Sequence, residues 1–256
     1  MKNRAAFTFT ETLVIASIGF LLIGLLLPSL EDAKQKLQAA QCLSNMRQWG
    51  LAFGMYCNDN QDYMPYTGMT GDIGSGFNLG AWFNVLPHYI NQPPLKDLYA
   101  TNQVPVPGSR SVFVCPSARP IDYTPTTSKA YHSYAMNREL QGVLPSPPGK
   151  GLYERSIAAL PGQVILFSES ENNEFPFTDG FFIGSGNLAI NPNQAAPRHS
   201  GGRNFVFVDG HAQWYTLDDY SRTKDETGNG TGSLIEWTHE PPYTIYWWPC
   251  RTCRKQ

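Results

Sequence analysis

The first thirty residues, MKNRAAFTFTETLVIASIGFLLIGLLLPSL, constrain the rest of the chain more than any other stretch. Thr12 to Leu30 is an uncharged run of 19 residues, and extending it back to Phe7 admits one charge, Glu11. An apolar helix of roughly 20 residues crosses a bilayer, so the run is long enough to span. Lys2 and Arg4 precede it, and the positive-inside bias keeps such an N-terminus in the cytoplasm and sends the following domain outward. No A-x-A site closes the run, which continues into Pro28-Ser-Leu-Glu-Asp, and Gln41 before Cys42 does not make a lipobox. The segment therefore reads as a retained anchor rather than a discarded secretory signal. A carboxylate inside a membrane helix costs roughly 2.5 to 3.5 kcal/mol on insertion scales, so Glu11 calls for a partner. A cut after Ala6 would supply one, because the new amino group of Phe7 would lie one helical turn away, and such pairs between subunits would set a stagger.

Met1 to Ala6 as a short basic leader, Ala6 before the cut, Phe7 as first mature residue and Glu11 as the fifth together resemble the N-terminal signal of type IV pilins and type II secretion pseudopilins. Ala6 stands where that family usually carries Gly. The resemblance implies removal of residues 1–6 by a prepilin peptidase, N-terminal methylation, and assembly of helices 7–30 into a pilus-like structure.

Beyond Pro28 the pattern stays helical. Leu30, Ala33, Leu37, Ala40, Leu43, Met46, Gly50 and Phe53 recur at steps of three and four, and Cys42, Met46, Trp49, Phe53 and Tyr56 form a second stripe. Asn58-Asp-Asn is the expected stop. A helix from Phe7 to Tyr56 would be about 75 Å long, with its first half in lipid and residues 31–60 as the spine of a head.

The head, residues 61–217, reads as β-rich and loop-rich. The chain holds 23 Gly and 20 Pro, and its charged fraction of 16% lies below the roughly 25% of ordinary soluble domains. A net charge of -2 gives no electrostatic footprint for nucleic acid. Gly68 to Gly80, Pro145 to Gly151 and Asn191 to Pro197 read as loops, Trp82 to Ile90 as a buried segment broken by Pro87, and Pro93 to Gly108 as a proline-spaced connection. Strands are expected at Ser111–Cys115, more weakly at Ser133–Met136, and at Gln163–Ser168 after the Pro161-Gly162 turn. The strongest hairpin signal is NFVFVDGHAQWY, Asn204 to Tyr215, where Asp209-Gly210 suits a type I′ turn.

Nine residues separate His199 from Asp209-Gly210, with His211 just beyond. This spacing resembles a C-terminal signature of a large group of pilin-like bacterial proteins. The resemblance extends, in order, to CLSNMRQWGLAFGMYCNDNQDYMP, VFVCPSA and SYAMN, about half the chain. Residues 218–256 depart from it and form a polar stretch followed by a tail with Trp237, Tyr243, Tyr246, Trp247 and Trp248, which reads as packing on a sheet edge or as a binding face.

His199, Asp209 and His211 are metal-ligand types, and Glu169 and Glu171 could add carboxylates. The plainer reading is structural: Asp209-Gly210 makes the turn, His199 caps a neighbouring loop, and SESENNE is a solvated loop. Cys250-x-x-Cys253 is half of a zinc site without a second half. No motif implies a catalytic residue, metal or cofactor. Five cysteines leave at least one unpaired, and connectivity does not follow from spacing. In an oxidising compartment Cys115 is expected to join a helix cysteine, Cys42 ahead of Cys57, with separate buried thiols as the alternative.

The sequence thus predicts an α+β, pilin-like fold, with a long N-terminal helix packed on an antiparallel sheet. Its expected role is that of a pseudopilin or minor pilin subunit in the bacterial inner membrane, non-enzymatic, with its head in the periplasm or on the surface. Expected partners are like subunits, a prepilin peptidase and an assembly platform. A glycan-binding surface module and an anchored metal-dependent enzyme are the alternatives.

Overall fold

The computed structural model describes residues 8–66, 79–103, 105–106, 108–117, 133–137, 140, 155, 158, 161–169, 198–216 and 245. Ala6, Phe7, most of the Gly68 to Gly80 loop, the loops at 145–151 and 191–197, Glu171, Cys250, Cys253 and the tail aromatics lie outside them.

Helix α1 runs unbroken through Phe9–Asp59, 51 residues, with Pro28 inside it. At 1.5 Å per residue it is about 77 Å long. Its start carries a capping box. The Glu11 N–H donates to Thr8 Oγ1, and Glu11 Oε2 accepts from the Thr8 N–H at 2.8 Å. Thr-x-x-Glu satisfies two helix-end donors reciprocally, a purpose for Glu11 beyond the pairing expected of its charge. The first half is long and apolar enough to cross a membrane and is unburied, with Phe9 80% and Phe20 76% exposed. Burial begins at Cys42 and continues through Met46, Trp49, Gly50, Ala52, Phe53, Tyr56 and Cys57. The helix thus changes from bare to covered along its length.

Four strands form one antiparallel sheet in the order β1 (Tyr134–Met136), β2 (Ile165–Glu169), β3 (Gly202–Phe207), β4 (Ala212–Thr216). Every residue of β2 and β3 is buried. One face, with Val206 and Val208, joins the α1 core, where Trp49 sits edge-on to Trp82 with ring centroids 5.1 Å apart. The opposite face carries Phe205 and Phe207, whose alternation with Val206 follows the two-residue period of a strand. Ile245, from the C-terminal extension, is buried with them, beside Ala135 and Ile165. A register shift between Ile165 and Phe167 lets the consecutive Leu166 and Phe167 both reach the α1 core, as a bulge re-aims a side chain.

Trp82 to Ile90 is the expected buried segment, a helical turn α2 (Trp82–Val85) passing into a 3-10 turn (Leu86–Ile90) at Pro87. The connection after it contains a short helix, α3 (Leu95–Ala100), that the proline spacing does not suggest.

Two local expectations are corrected. Ser111–Cys115, buried from Val112 on, turns instead of forming a strand. Two of its carbonyls find side-chain donors on α1, Trp49 Nε1 to Val112 O at 3.1 Å and Asn45 Nδ2 to Val114 O at 3.2 Å, so that a single backbone bond, from the Ser133 N–H to Phe113 O at 2.8 Å, stands in place of a ladder. At Asp209-Gly210 the turn is not type I′. Phe207 pairs with His211 across a three-residue loop, Gly210 N–H donates to Phe207 O, and only Gly210 (φ +91°) is left-handed. Such a loop matches the strand twist with one glycine where I′ needs two positive φ values. The I′ geometry occurs earlier, at Ser200-Gly201 (φ +52° and +82°), where His199 and Gly202 exchange backbone hydrogen bonds.

Candidate functional site

The spacing of the His199, Asp209-Gly210 signature has a structural cause. His199 opens the Ser200-Gly201 turn, β3 follows, and Asp209-Gly210 closes its far end. At about 3.3 Å per residue, the six residues of β3 hold the two ends roughly 20 Å apart. His199 therefore does not share a ligand with Asp209 and His211, and the three do not form one site. Asp209 and His211 make an exposed pair of their own, Nδ1 to Oδ1 2.6 Å, with the His211 ring stacked on Phe207 at 4.4 Å.

His199 instead turns into the interior, where four elements converge. Cys42 comes from α1, Cys115 from the turn segment before Pro116, Glu169 from the end of β2, and His199 from the entry to β3. All four are buried, none more than 4% exposed. One ligand-type atom from each lies within 4.8 Å of every other. Glu169 Oε1 is 2.8 Å from His199 Nε2, Cys115 Sγ is 3.5 Å from the same nitrogen, and Cys42 Sγ contacts Glu169 Oε1.

The expected disulfide between Cys42 and Cys115 is not formed. Both thiols are free, as is that of Cys57, although Cys42 and Cys115 have met as hydrogen-bonding neighbours. The buried face of α1 accounts for the meeting, while Glu169 and His199 give the sulfurs other partners.

A shell of donors fixes these groups. Asn204 donates its backbone N–H to Glu169 Oε2 at 3.0 Å and its Nδ2 to Oε1 at 3.1 Å. Asn45 Nδ2 donates to Tyr134 Oη at 3.3 Å, which leaves the tyrosine hydroxyl to donate to Cys42 Sγ, 3.2 Å away. Trp214 Nε1 donates to the His199 carbonyl at 2.9 Å, and the Cys115 N–H to Ser133 Oγ at 2.9 Å.

Buried ionisable groups survive only when paired. Burial works against the Glu169 charge, yet the hydrogen bond and charge of His199 and the charge of Arg198 outweigh it and hold the carboxyl down at about 2. Burial likewise opposes the His199 charge, and the hydrogen bonds to Cys115 and Glu169 raise it to about 9. A hydrogen bond with Cys42 lowers the Cys115 thiol to about 6 against burial, while burial pushes Cys42 well above the ordinary thiol range. The interior thus holds an imidazole and a carboxyl that each favour the other's charged form, flanked by two sulfurs shifted in opposite directions.

Each member of the cluster stands out in the sequence: Cys42 and Cys115 as a bridge, and His199 and Glu169 as candidate ligands grouped with Asp209, His211 and Glu171, with a loop cap and a solvated loop as their plainer readings. Tyr134 and Asn204 carry no signal of their part in it. Comparisons with protein-family models, with curated proteins and with solved structures found no match to this chain.

Proposed function

We propose that this protein is a type IV pilin-like subunit, a pseudopilin or minor pilin, anchored in the bacterial inner membrane by the first half of α1 and assembled with like subunits through it. The observation that carries this reading is the division of a single 51-residue helix into a bare apolar half and a half buried under a β-sheet. Exposed leucine, isoleucine and phenylalanine over five turns or more demand cover, and a bilayer before assembly and neighbouring helices after it would supply that cover in turn. The Met1 to Ala6 leader and Glu11 fit removal of the leader by a prepilin peptidase on the cytoplasmic side, after which the head faces the periplasm or the surface. In this reading the protein works by assembly. The buried position of the four-residue cluster supports a structural rather than a catalytic part for it, because a substrate would have no open path to groups at most 4% exposed.

Assembly tests the reading. Cells expressing the tagged chain with the peptidase and platform of their secretion system should yield sheared filaments or crosslinked ladders containing it. A chain that remains monomeric in the membrane under those conditions contradicts the proposal.

A further inference from the structure

We infer that Cys42, Cys115, Glu169 and His199 form a site for one divalent transition-metal ion of the zinc class, and that the ion clamps the spine helix to the sheet. The donor set is two sulfurs, one imidazole nitrogen and one carboxylate oxygen, all within 4.8 Å of one another. Thiolate with imidazole suits zinc, and hard-ion sites for calcium or magnesium use oxygen alone. A tetrahedral zinc ion, with bonds of about 2.0 to 2.3 Å, spaces its ligand atoms by roughly 3.3 to 3.8 Å. Cys115 Sγ and His199 Nε2, 3.5 Å apart, fall within that spacing; Glu169 Oε1 lies closer than that to His199 Nε2, at 2.8 Å, and to Cys42 Sγ, and no pair exceeds 4.8 Å. Adjustments of about an ångström in these separations would match them to a tetrahedral ion.

The surroundings match what a metal ligand needs outside its bonds. Ligating carboxylates and thiolates are oriented by hydrogen-bond donors. Asn204 places two donors on Glu169, and the Asn45 to Tyr134 relay leaves a hydroxyl proton directed at the Cys42 sulfur, as a thiolate requires. Two thiolates and a carboxylate carry one negative charge more than a divalent ion neutralises, and the positive charge of Arg198 acts on both Cys115 and Glu169.

Four protein ligands and almost no exposure describe a closed, structural site rather than one with an open position for substrate. Its ligands come from four segments distant in sequence, so one ion would cross-link α1, the Cys115 segment, β2 and the start of β3. This gives His199 of the signature a purpose its partners Asp209 and Gly210 do not share.

The test uses the full chain in detergent, reduced, stripped with a chelator and titrated with zinc chloride or cobalt(II) chloride. The expected result is one metal per chain by mass spectrometry. Cobalt should give intense visible bands of tetrahedral coordination and a near-ultraviolet thiolate charge-transfer band, both displaced by zinc. Cys115→Ser, saturated with cobalt, should lose about half the intensity of that band and should bind zinc at least a hundredfold more weakly, while Tyr134→Phe, which leaves all four ligands in place, should bind about tenfold more weakly. Cys57→Ser, at a buried thiol outside the cluster, should bind as the wild type does. Absence of the thiolate band in folded wild-type protein overturns the inference. A weakened band in Cys250→Ser with an undiminished one in Cys115→Ser overturns it too, and so does recovery of a Cys42–Cys115 disulfide from protein isolated from its native compartment without reductant.

Discussion

The carbonyl oxygen of Gly210, at the tip of the β3–β4 hairpin, occupies the position that a Cβ on Gly50 of α1 would take. Helix and hairpin therefore meet backbone to backbone, with Val206 closing the third side at 3.0 Å from the same point. This contact, together with the four-residue cluster, is where the spine is registered against the sheet.

Gly50→Ala should destabilise the head by about 2 kcal/mol, the usual range for overpacking a filled site, because a backbone carbonyl cannot rotate away. Gly54, one turn further along, has nothing within 4 Å of its Cβ position. Gly54→Ala should thus stabilise by up to about 1 kcal/mol through helix propensity alone. Denaturant titration of both variants, with opposite shifts in midpoint, checks the pair.

At Gly210 the obstacle is conformational. With φ at +91°, a valine there adopts a backbone that L-residues avoid at roughly 1 to 2 kcal/mol or more, and its Cβ also meets the Gly50 carbonyl at 3.2 Å. His211→Ala removes an exposed pair with Asp209, worth at most about 1 kcal/mol, and the stacking of its ring on Phe207, worth about 1 kcal/mol, without straining the backbone. Melting curves should rank Gly210→Val well below His211→Ala, and the reverse order would point to a function for His211.

Removing the carboxylate at the centre of the cluster should be costly. Glu169→Ala leaves His199 without its 2.8 Å partner and Asn204 with two donors unmet, and breaking a buried pair from one side costs about 3 to 5 kcal/mol. Chemical denaturation measures it, and a loss under about 1 kcal/mol would mean that these contacts contribute little to folding.

Glu11 has two separable properties, its charge and its place in the capping box with Thr8. Glu11→Gln keeps a side chain able to cap, whereas Glu11→Ala removes both properties. Both variants should insert in the membrane, and both should assemble poorly if the charge pairs with a neighbouring Phe7 amine. Wild-type assembly by Glu11→Gln, with failure of Glu11→Ala, would assign Glu11 to the cap alone.

What is legible in the sequence is local. An uncharged apolar run up to Leu30, followed by three- and four-residue spacing up to Phe53, marks α1, and two β-rich runs around Asp209-Gly210 mark the hairpin, because each signal is complete within its own segment. Ser111–Cys115 misleads because an apolar run bounded by proline looks the same whether its carbonyls face a strand or, as here, Trp49 and Asn45. Asp209-Gly210 suits a type I′ turn by composition, but a left-handed pair fits Ser200-Gly201 as well, and only the strand register separates them. The cluster is legible only as two separate halves, Cys42 with Cys115 and His199 with Glu169. Cys42, Cys115, Glu169 and His199 show no spacing rule, since folding of the whole sheet onto the helix brings them together.

The N-terminus of the mature protein tests the central claim most directly. Intact-mass and terminal-peptide spectrometry of the protein from membranes of its native cell should find chains beginning at Phe7, heavier by one methyl group, with residues 1–6 gone. An intact Met1 on the membrane-assembled protein would contradict the account.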